Sequence, residues 1–397
     1  MKDVAMNDAN VLSVILEVHS MLEEANVPYQ FVDEASLWLQ GVEVSLQSIC
    51  VTVQWDLFEK VYDLCKGYTP SLIEKTALKA SFSFQKNAIP IHINCYFNTT
   101  IKTDPYRIFV YKEVSIPCRS LYAYLYFPES TMFSDDIHRF LLREQQAFAK
   151  QNELAWNQNN YTALINRYGE PETVAKKIIE NPKWRLYPFY KYMGDVSRKK
   201  VLHLMGSNGV KATALSMLGA EVTVVDFSQE NAAFAKELAA HANVAMEYIV
   251  SDILSFGEMT DCEYDMVLME LGVLHYFIDI QPLVRVIKKL LRPGGQWILH
   301  EFHPISTKLI TSTGKKHKVT GNYFDPSIES GHVAFSKHMS DEERQSLTNV
   351  FQRKWTLGEL ITSTAQEGLT IKVLEEEPNH KLHDIGLPKT FTLISEK

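Results

Sequence analysis

Apolar residues recur along this chain at two periods, and the changes of period mark its organisation. Val11, Ile15, Val18 and Leu22 fall at helical spacing, which predicts a helix over 11–24 with one buried face. After Pro28 a second helical stretch covers 34–40. Strand-like runs follow at 46–53, 82–85, 89–97 and 107–111, with a helix over 56–66 between the first two. Residues 145–198 are rich in helix formers and aromatics, and Pro171, Pro182 and Pro188 break them into short helices. From Val201 onward strand and helix patterns alternate regularly. Strands are expected at 201–204, 221–226, 246–250, 264–269 and 296–302, with helices between them. A polar, irregular stretch spans 303–354, long for a loop without structure of its own. A helix over 355–368 and two strands, 370–375 and 390–395, close the chain.

The polar stretch PESTMFSDD (128–136) separates two halves. We therefore expect an N-terminal α/β domain at 1–133, a helical connector and pocket cover at 134–200, and an α/β domain at 201–397 carrying a lid or insertion at about 303–354. The second domain is organised around VLHLMGSNGVKATALSMLGAEVTVVD (201–226). An apolar run meets the small-residue turn Gly206-Ser207-Asn208-Gly209, a helix follows, and a β-branched run ends in Asp226. Asp226 lies twenty positions after Gly206, about where a carboxylate reaches a ribose in nucleotide-binding βαβ units.

Composition adds exclusions rather than identity. Apolar residues make up 46% and charged residues 22% of the chain, ordinary for a globular protein. The net charge of −8 argues against a polyanionic partner, so nucleic acid is not expected. Five cysteines without a CxxC pair fit reduced thiols rather than a zinc site. No stretch has the roughly 18 consecutive apolar residues of a membrane span. These features lead us to expect a cytoplasmic protein, with a homodimer as one possible assembly.

Three features of the second half then combine: Asp226 and Asp252 closing the second and third strands, the Leu290–Gly295 turn (LLRPGG) before the fifth, and a terminal helix–strand–strand ending. With ELGVLHYF after the fourth strand and EFHP after the fifth, the region 150–397 resembles the class I S-adenosylmethionine-dependent methyltransferases that act on small molecules. The resemblance implies a Rossmann-like, seven-stranded, mostly parallel sheet with a C-terminal antiparallel strand, and S-adenosyl-L-methionine as cofactor. The family's G-x-G-x-G turn is altered, because Met205 and Ser207 stand at its first two glycine positions and only Gly209 falls in place. The N-terminal domain, with FVDEASLWLQG before a strand and IPIHINCYF later, faintly resembles a nucleotidyltransferase fold. That family holds metal ions with three carboxylates. Here the corresponding strands read Gln47-Ser48-Ile49-Cys50 and Ile91-His92-Ile93-Asn94, so a structural or substrate-gating role is expected instead.

On this reading the cofactor-binding residues are Gly206, Ser207, Gly209, Asp226, Phe227, Asp252, Ile253, Glu270 and Leu271. Strand ends converge on one face of such a sheet. His275, Glu301 and His303, just past the fourth and fifth strands, are therefore the candidates for a general base. Trp156, Tyr161, Tyr276 and Tyr323 are expected in a substrate pocket, and Phe324 and His332 at its roof. His300-Glu301-x-His303 lacks an identifiable third ligand on one strand face, so no metal is expected. A basic run, Lys308 with Lys315, Lys316, His317 and Lys318, reads as a solvated loop or an attractor for an anionic substrate.

Methyl transfer to a small-molecule acceptor is thus the leading function. A cofactor-binding regulatory protein without turnover is the alternative, and a nicotinamide-dependent oxidoreductase a more distant one.

Overall fold

A computed structural model describes residues 8–111, 114–126, 132–187, 189–313, 316–379 and 386–397. Part of the polar stretch at 127–131, together with Pro188 and Lys315, lies outside the described residues, as does the side chain of Trp184. The chain divides into two compact units, residues 1–140 with 324–326, and residues 141–323 with 327–397.

The N-terminal unit holds α1 (Asp8–Glu24), α2 (Asp33–Leu39), α3 (Phe58–Leu64), α4 (Tyr122–Tyr126) and seven strands. These are β1 (Tyr29–Val32), β2 (Ile49–Val53), β3 (Glu74–Lys75), β4 (Lys79–Lys86), β5 (Ile89–Tyr96), β6 (Arg107–Tyr111) and β7 (Ser115–Arg119), in sheet order β3-β4-β5-β2-β1-β7-β6. β1 and β7 were not evident from the apolar pattern. β1 is only four residues long and fully buried, so its YQFV shows no alternation. β2 and β5 are parallel neighbours, with Cys50 opposite His92 and Thr52 opposite Asn94. The Thr52 hydroxyl donates to Asn94 at 2.7 Å.

The second unit takes the rest of α5 (Ser134–Trp156), then α6 (Asn160–Tyr168) and α7 (Pro171–Glu180). Its main sheet begins with β8 (Lys200–Leu204), α8 (Val210–Met217), β9 (Glu221–Asp226), α9 (Gln229–His241) and β10 (Glu247–Val250). It continues through α10 (Ile253–Met259), β11 (Tyr264–Glu270), α11 (Gln281–Leu290) and β12 (Leu291–Phe302). The 303–354 stretch holds two antiparallel strand pairs, β13 (Ile310–Thr313) with β14 (Lys316–Val319) and β15 (Ile328–Gly331) with β16 (Val350–Arg353). α12 (Asp341–Gln345) lies between β15 and β16, started by a capping box at Ser340. α13 (Leu357–Gln366), β17 (Thr370–Pro378) and β18 (Pro388–Glu396) complete the unit.

The sheet order is β10-β9-β8-β11-β12-β18-β17. β8, β9, β10, β11 and β12 are parallel, and β18 runs antiparallel to both β12 and β17. This is the Rossmann-like seven-stranded arrangement with an antiparallel C-terminal strand that the sequence led us to expect. Parallel strands buried on both faces read as continuous apolar runs. Accordingly Val201, Leu202, Val224, Val225, Val267 and Leu268 are all at or near full burial. Strand order reverses direction between β8 and β11, and the carboxyl ends of those two strands open the crevice where such sheets take ligands.

Candidate active site

The turn after β8 is where the sequence departs most from expectation, and its backbone is informative. Met205, Ser207 and Gly209 all adopt positive φ, at 51°, 47° and 69°. The loop thus keeps left-handed conformations at the three positions where the family usually has glycine, although two of them carry side chains. Gly206 answers a different need: a Cβ there would lie 2.8 Å from His203 Nδ1 and from Val224 Cγ1. At Gly209 a Cβ would come within 2.6 Å of the Ala235 Cβ on α9.

The turn is fastened from two neighbouring strands. The Ser207 N–H donates to Asp226 Oδ2 at 3.1 Å, and the Tyr248 hydroxyl on β10 donates to the Ser207 carbonyl at 2.8 Å. Asp226 Oδ1 accepts from the Ser228 N–H at 2.9 Å and from Asn231 Nδ2 at 3.4 Å. Burial raises the Asp226 carboxyl above its ordinary pKa, and these donors pull against that rise. Ser228 caps α9, accepting from the Asn231 N–H, while its hydroxyl donates to the Trp156 carbonyl at 3.0 Å. That contact holds the end of α5 over the crevice.

Beyond β11 the chain turns at Leu271 and Gly272, both at positive φ. Glu301 on β12 fastens this turn, its carboxylate accepting from the backbone N–H groups of Gly272, Val273, Leu274 and Phe302. Gln145 of α5 reaches the same loop from outside, donating to the Tyr276 carbonyl at 2.9 Å and accepting from the Ile278 N–H at 2.8 Å.

Between these turns lies a cleft of about 450 Å³. It gathers Gly206, Ser207, Asp226, Phe227, Glu270, Leu271, His275, Trp156 and Tyr276 from the sequence-derived set. It also collects residues that sequence reasoning did not single out for the site, among them Lys211, Asn231, Phe302, Phe335 and Gln352. His332 lines the cleft, whereas Phe324 falls in the N-terminal unit. Trp156 Nε1 donates to the Tyr276 hydroxyl at 3.0 Å, and Trp156 meets both Tyr276 and Phe335 edge to face, making one aromatic wall. Asp252 and Ile253 line a narrower space that shares Met205, Asp226, Phe227 and Tyr276 with the cleft. Asp252 also caps α10, accepting from the Ser255 N–H at 3.0 Å.

Several sequence-derived candidates are placed elsewhere. Gly209 lies beneath the turn as the N-cap residue of α8 rather than in the cleft lining. Tyr161 packs on Phe234, and its hydroxyl donates to Glu237 on the surface of α9. The Tyr323 hydroxyl accepts from the Leu357 N–H at the start of α13. Glu301 is 2% exposed and fully engaged with backbone donors. His303 is 1% exposed, its Nδ1 accepting from the Ile305 N–H, so its Nε2–H faces Glu376 at 2.6 Å. Of the three candidate bases only His275 lines the cleft. Burial lowers its pKa, partly opposed by the Glu301 charge, which keeps the imidazole neutral and able to accept a proton. The basic run also divides, because Lys308 is buried and donates to the Lys354 carbonyl. Among the described residues no group of three His, Cys, Asp or Glu side chains is placed to hold a metal ion.

Charge at the cleft floor is concentrated in one group. Glu270 pairs with Lys211 Nζ at 2.7 Å, and His203 Nε2 stands 3.8 Å from the other Glu270 oxygen. Desolvation pushes the wholly buried His203 imidazole down to about 4, so it is neutral and leaves the ion pair to Lys211.

Residues 204–299 match the family model described as a methyltransferase domain. Over those residues the second unit is similar to methyltransferase domains. Ubiquinone biosynthesis O-methyltransferases resemble part of the chain. The Bordetella pertussis protein is 25% identical over 138 residues, 35% of this chain and 56% of its own length. The Yersinia pestis (strain Pestoides F) protein is 26% identical over 135 residues, 34% of this chain and 55% of its own. The chain thus spans just over half the length of the curated relatives it matches. Among solved structures, an S-adenosylmethionine-dependent methyltransferase from Mesorhizobium loti aligns with a TM-score of 0.43 at 16% identity, covering 55% of this chain and 100% of its own. A magnesium protoporphyrin IX methyltransferase from Synechocystis, with S-adenosylhomocysteine bound, aligns at 0.40 and 12% identity, covering 63% and 99%.

That similarity implies S-adenosylmethionine, and the residues present fit that group. Gly206 leaves a cradle that a Cβ would fill, Asp226 offers carboxylate oxygens at the β9 end, and Lys211 with Glu270 offers both signs of charge beside the turn.

Proposed function

We propose that this protein transfers a methyl group from S-adenosyl-L-methionine to a small-molecule acceptor. The observation that carries this reading is the single cleft at the carboxyl ends of β8, β9 and β11, where the glycine-type turn, Asp226 and Glu270 meet. When bound, the cofactor supplies an already activated methyl group on a sulfonium, so the chain's task is to align the acceptor and receive its proton. Asp226 is suited to accept hydrogen bonds from ribose hydroxyls, and Phe227, Asp252 and Ile253 to enclose the adenine. The Trp156–Tyr276–Phe335 wall favours a flat, apolar acceptor with a polar handle, and the relatives named for O-methylation make a hydroxyl a reasonable handle. His275 is placed to take the hydroxyl proton, because it alone of the candidate bases lines the cleft.

The N-terminal unit would serve acceptor selection or assembly, including a homodimer, without catalysis of its own. On the nucleotidyltransferase-like reading, the metal-binding carboxylates would come from the strands that here read Gln47-Ser48-Ile49-Cys50 and Ile91-His92-Ile93-Asn94, which contain no acidic residue. A cytoplasmic location is part of the same proposal. Among the described residues no helix is long and apolar enough to cross a membrane.

Calorimetry with S-adenosylmethionine, S-adenosylhomocysteine and NAD, on the unmodified protein and Asp226→Ala, tests this reading. Binding of the two adenosyl compounds, lost in the variant, supports it; binding of NAD alone overturns it. The second reading, a cofactor sensor without turnover, draws on Met205 and Ser207 at family glycine positions. Tight binding without methyl transfer across a panel of phenols, catechols and hydroxy acids would favour it.

A further inference from the structure

The Tyr276 hydroxyl accepts hydrogen bonds inside the protein but gives none. The Trp156 Nε1–H, which can only donate, gives to Tyr276 Oη at 3.0 Å. The Gln352 amide reaches the same oxygen from β16 and, like the indole, favours its ionised form, as a donor does. Burial outweighs both and pushes the phenol up to about 12, so it keeps its proton at neutral pH. Asp226 bears on it only through its charge, and its oxygens accept from the Ser207 and Ser228 N–H groups. Among the described residues none accepts the Tyr276 O–H. Tyr276 is 7% exposed, and a buried donor without an acceptor is costly. The direction left open to it is the cleft, which Tyr276, Trp156 and Gln352 all line.

His275 precedes Tyr276 on the same turn, Leu274–Tyr276, and lines the same cleft with a neutral imidazole. One turn thus presents an acceptor and a donor side by side. Resting on the methyltransferase reading above, we propose that Tyr276 selects acceptors carrying a second oxygen beside the hydroxyl to be methylated. That hydroxyl gives its hydrogen bond to His275, and the neighbouring oxygen accepts the Tyr276 O–H. The edge-to-face wall of Trp156 and Phe335 takes the ring. The substrate class is therefore a phenol oxygenated at the adjacent ring position.

2-Methoxyphenol and 2-ethylphenol have nearly the same shape and differ in an ether oxygen against a methylene, so they isolate the Tyr276 contact. Both are titrated into the full chain saturated with S-adenosylhomocysteine, with ligand-observed NMR reading the weak binding of molecules this small. The unmodified protein should prefer 2-methoxyphenol by at least about fivefold. Tyr276→Phe should bring the two phenols within about twofold of each other. That variant leaves the Trp156 N–H without its acceptor, so the measurement is repeated in Trp156→Phe/Tyr276→Phe, where the preference should again be absent. Preference retained in both variants would mean that the hydroxyl only anchors Trp156, and overturns the proposal. Equal binding of the two phenols by the unmodified protein, or binding of neither, overturns it too, with no variant needed. Failure of S-adenosylhomocysteine to bind overturns the methyltransferase reading itself, a result distinct from loss of discrimination.

Discussion

The backbone N–H of Ser207 donates to the carboxylate of Asp226 at 3.1 Å, and this bond joins the turn after β8 to the end of β9. It reconciles a defective glycine motif with an intact loop. Ser207 and Met205 hold left-handed φ values that cost an L-residue about 1–2 kcal/mol each, so the surrounding structure must impose them. Asp226 and Tyr248 supply that constraint from either side.

Ser207→Gly should therefore stabilise the domain. Relief of the left-handed strain, less the extra entropy glycine loses on folding, leaves a gain of about 0.5–1 kcal/mol. The Ser207 hydroxyl is buried without a partner, so its removal forfeits no hydrogen bond. A melting temperature higher by about 2 °C is expected. A fall would show that the serine side chain is favoured by something other than the loop conformation.

Gly209→Ala should act in the opposite sense and more strongly. The new methyl would sit 2.6 Å from the Ala235 Cβ, at a φ of 69° that alanine resists. Steric and conformational terms together suggest a loss of about 3 kcal/mol, measurable by urea denaturation. Combining it with Ala235→Gly should recover the steric part while leaving the φ penalty.

The contrast between these two positions shows what the chain made legible. The βαβ order, Asp226 at a strand end and the terminal hairpin are local patterns of period and punctuation, and each is present at the place it was expected. Direction in space is not local. Tyr161 and Tyr323 share their aromatic character with Trp156 and Tyr276, but only the latter pair faces the cleft. Glu301 and His303 share a strand face by alternation, yet their partners are backbone donors of the β11 turn and Glu376 of β17. Lys211 and Gln145 gave no signal at all, since a lysine early in a helix and a glutamine within one usually read as solvated. Their roles arise only when β11 and the loop after it are brought alongside.

Glu301 offers a test that separates fastening from catalysis. Glu301→Gln keeps the shape but turns an amide NH₂ toward donors that need an acceptor. Loss of charge-assisted bonds at a buried site should cost about 3 kcal/mol of stability. Weaker binding of S-adenosylhomocysteine should accompany it, because the 272–274 turn borders the cleft. If Glu301 were instead a general base, the variant would melt normally and lose turnover together with the acidic limb of the pH profile. His275→Gln should show that second pattern, with binding retained and turnover lowered by about 10²-fold or more.

Acid sensitivity provides the last test, and its sign follows from His203. Burial holds this imidazole near pKa 4, against an ordinary value of 6.5. As pH falls below 6.5 the unfolded chain takes up a proton that the folded chain refuses until about pH 4. Protonation over that window therefore favours unfolding, and below it the two states bind equally and the loss levels off. The window corresponds to about 3 kcal/mol for a wholly buried group. His300, also pushed down to about 4 but hydrogen-bonded to Thr392, adds a further loss in the same direction. Melting temperatures measured from pH 7.5 to 4.5 should fall, with most of the decline below pH 6.5. His203→Met, which removes the titrating ring and fills much of its volume, should flatten the slope without lowering stability at pH 5. An unchanged slope would mean that the acid response arises from His300 and the surface carboxylates, and that His203 escapes its cavity before it titrates.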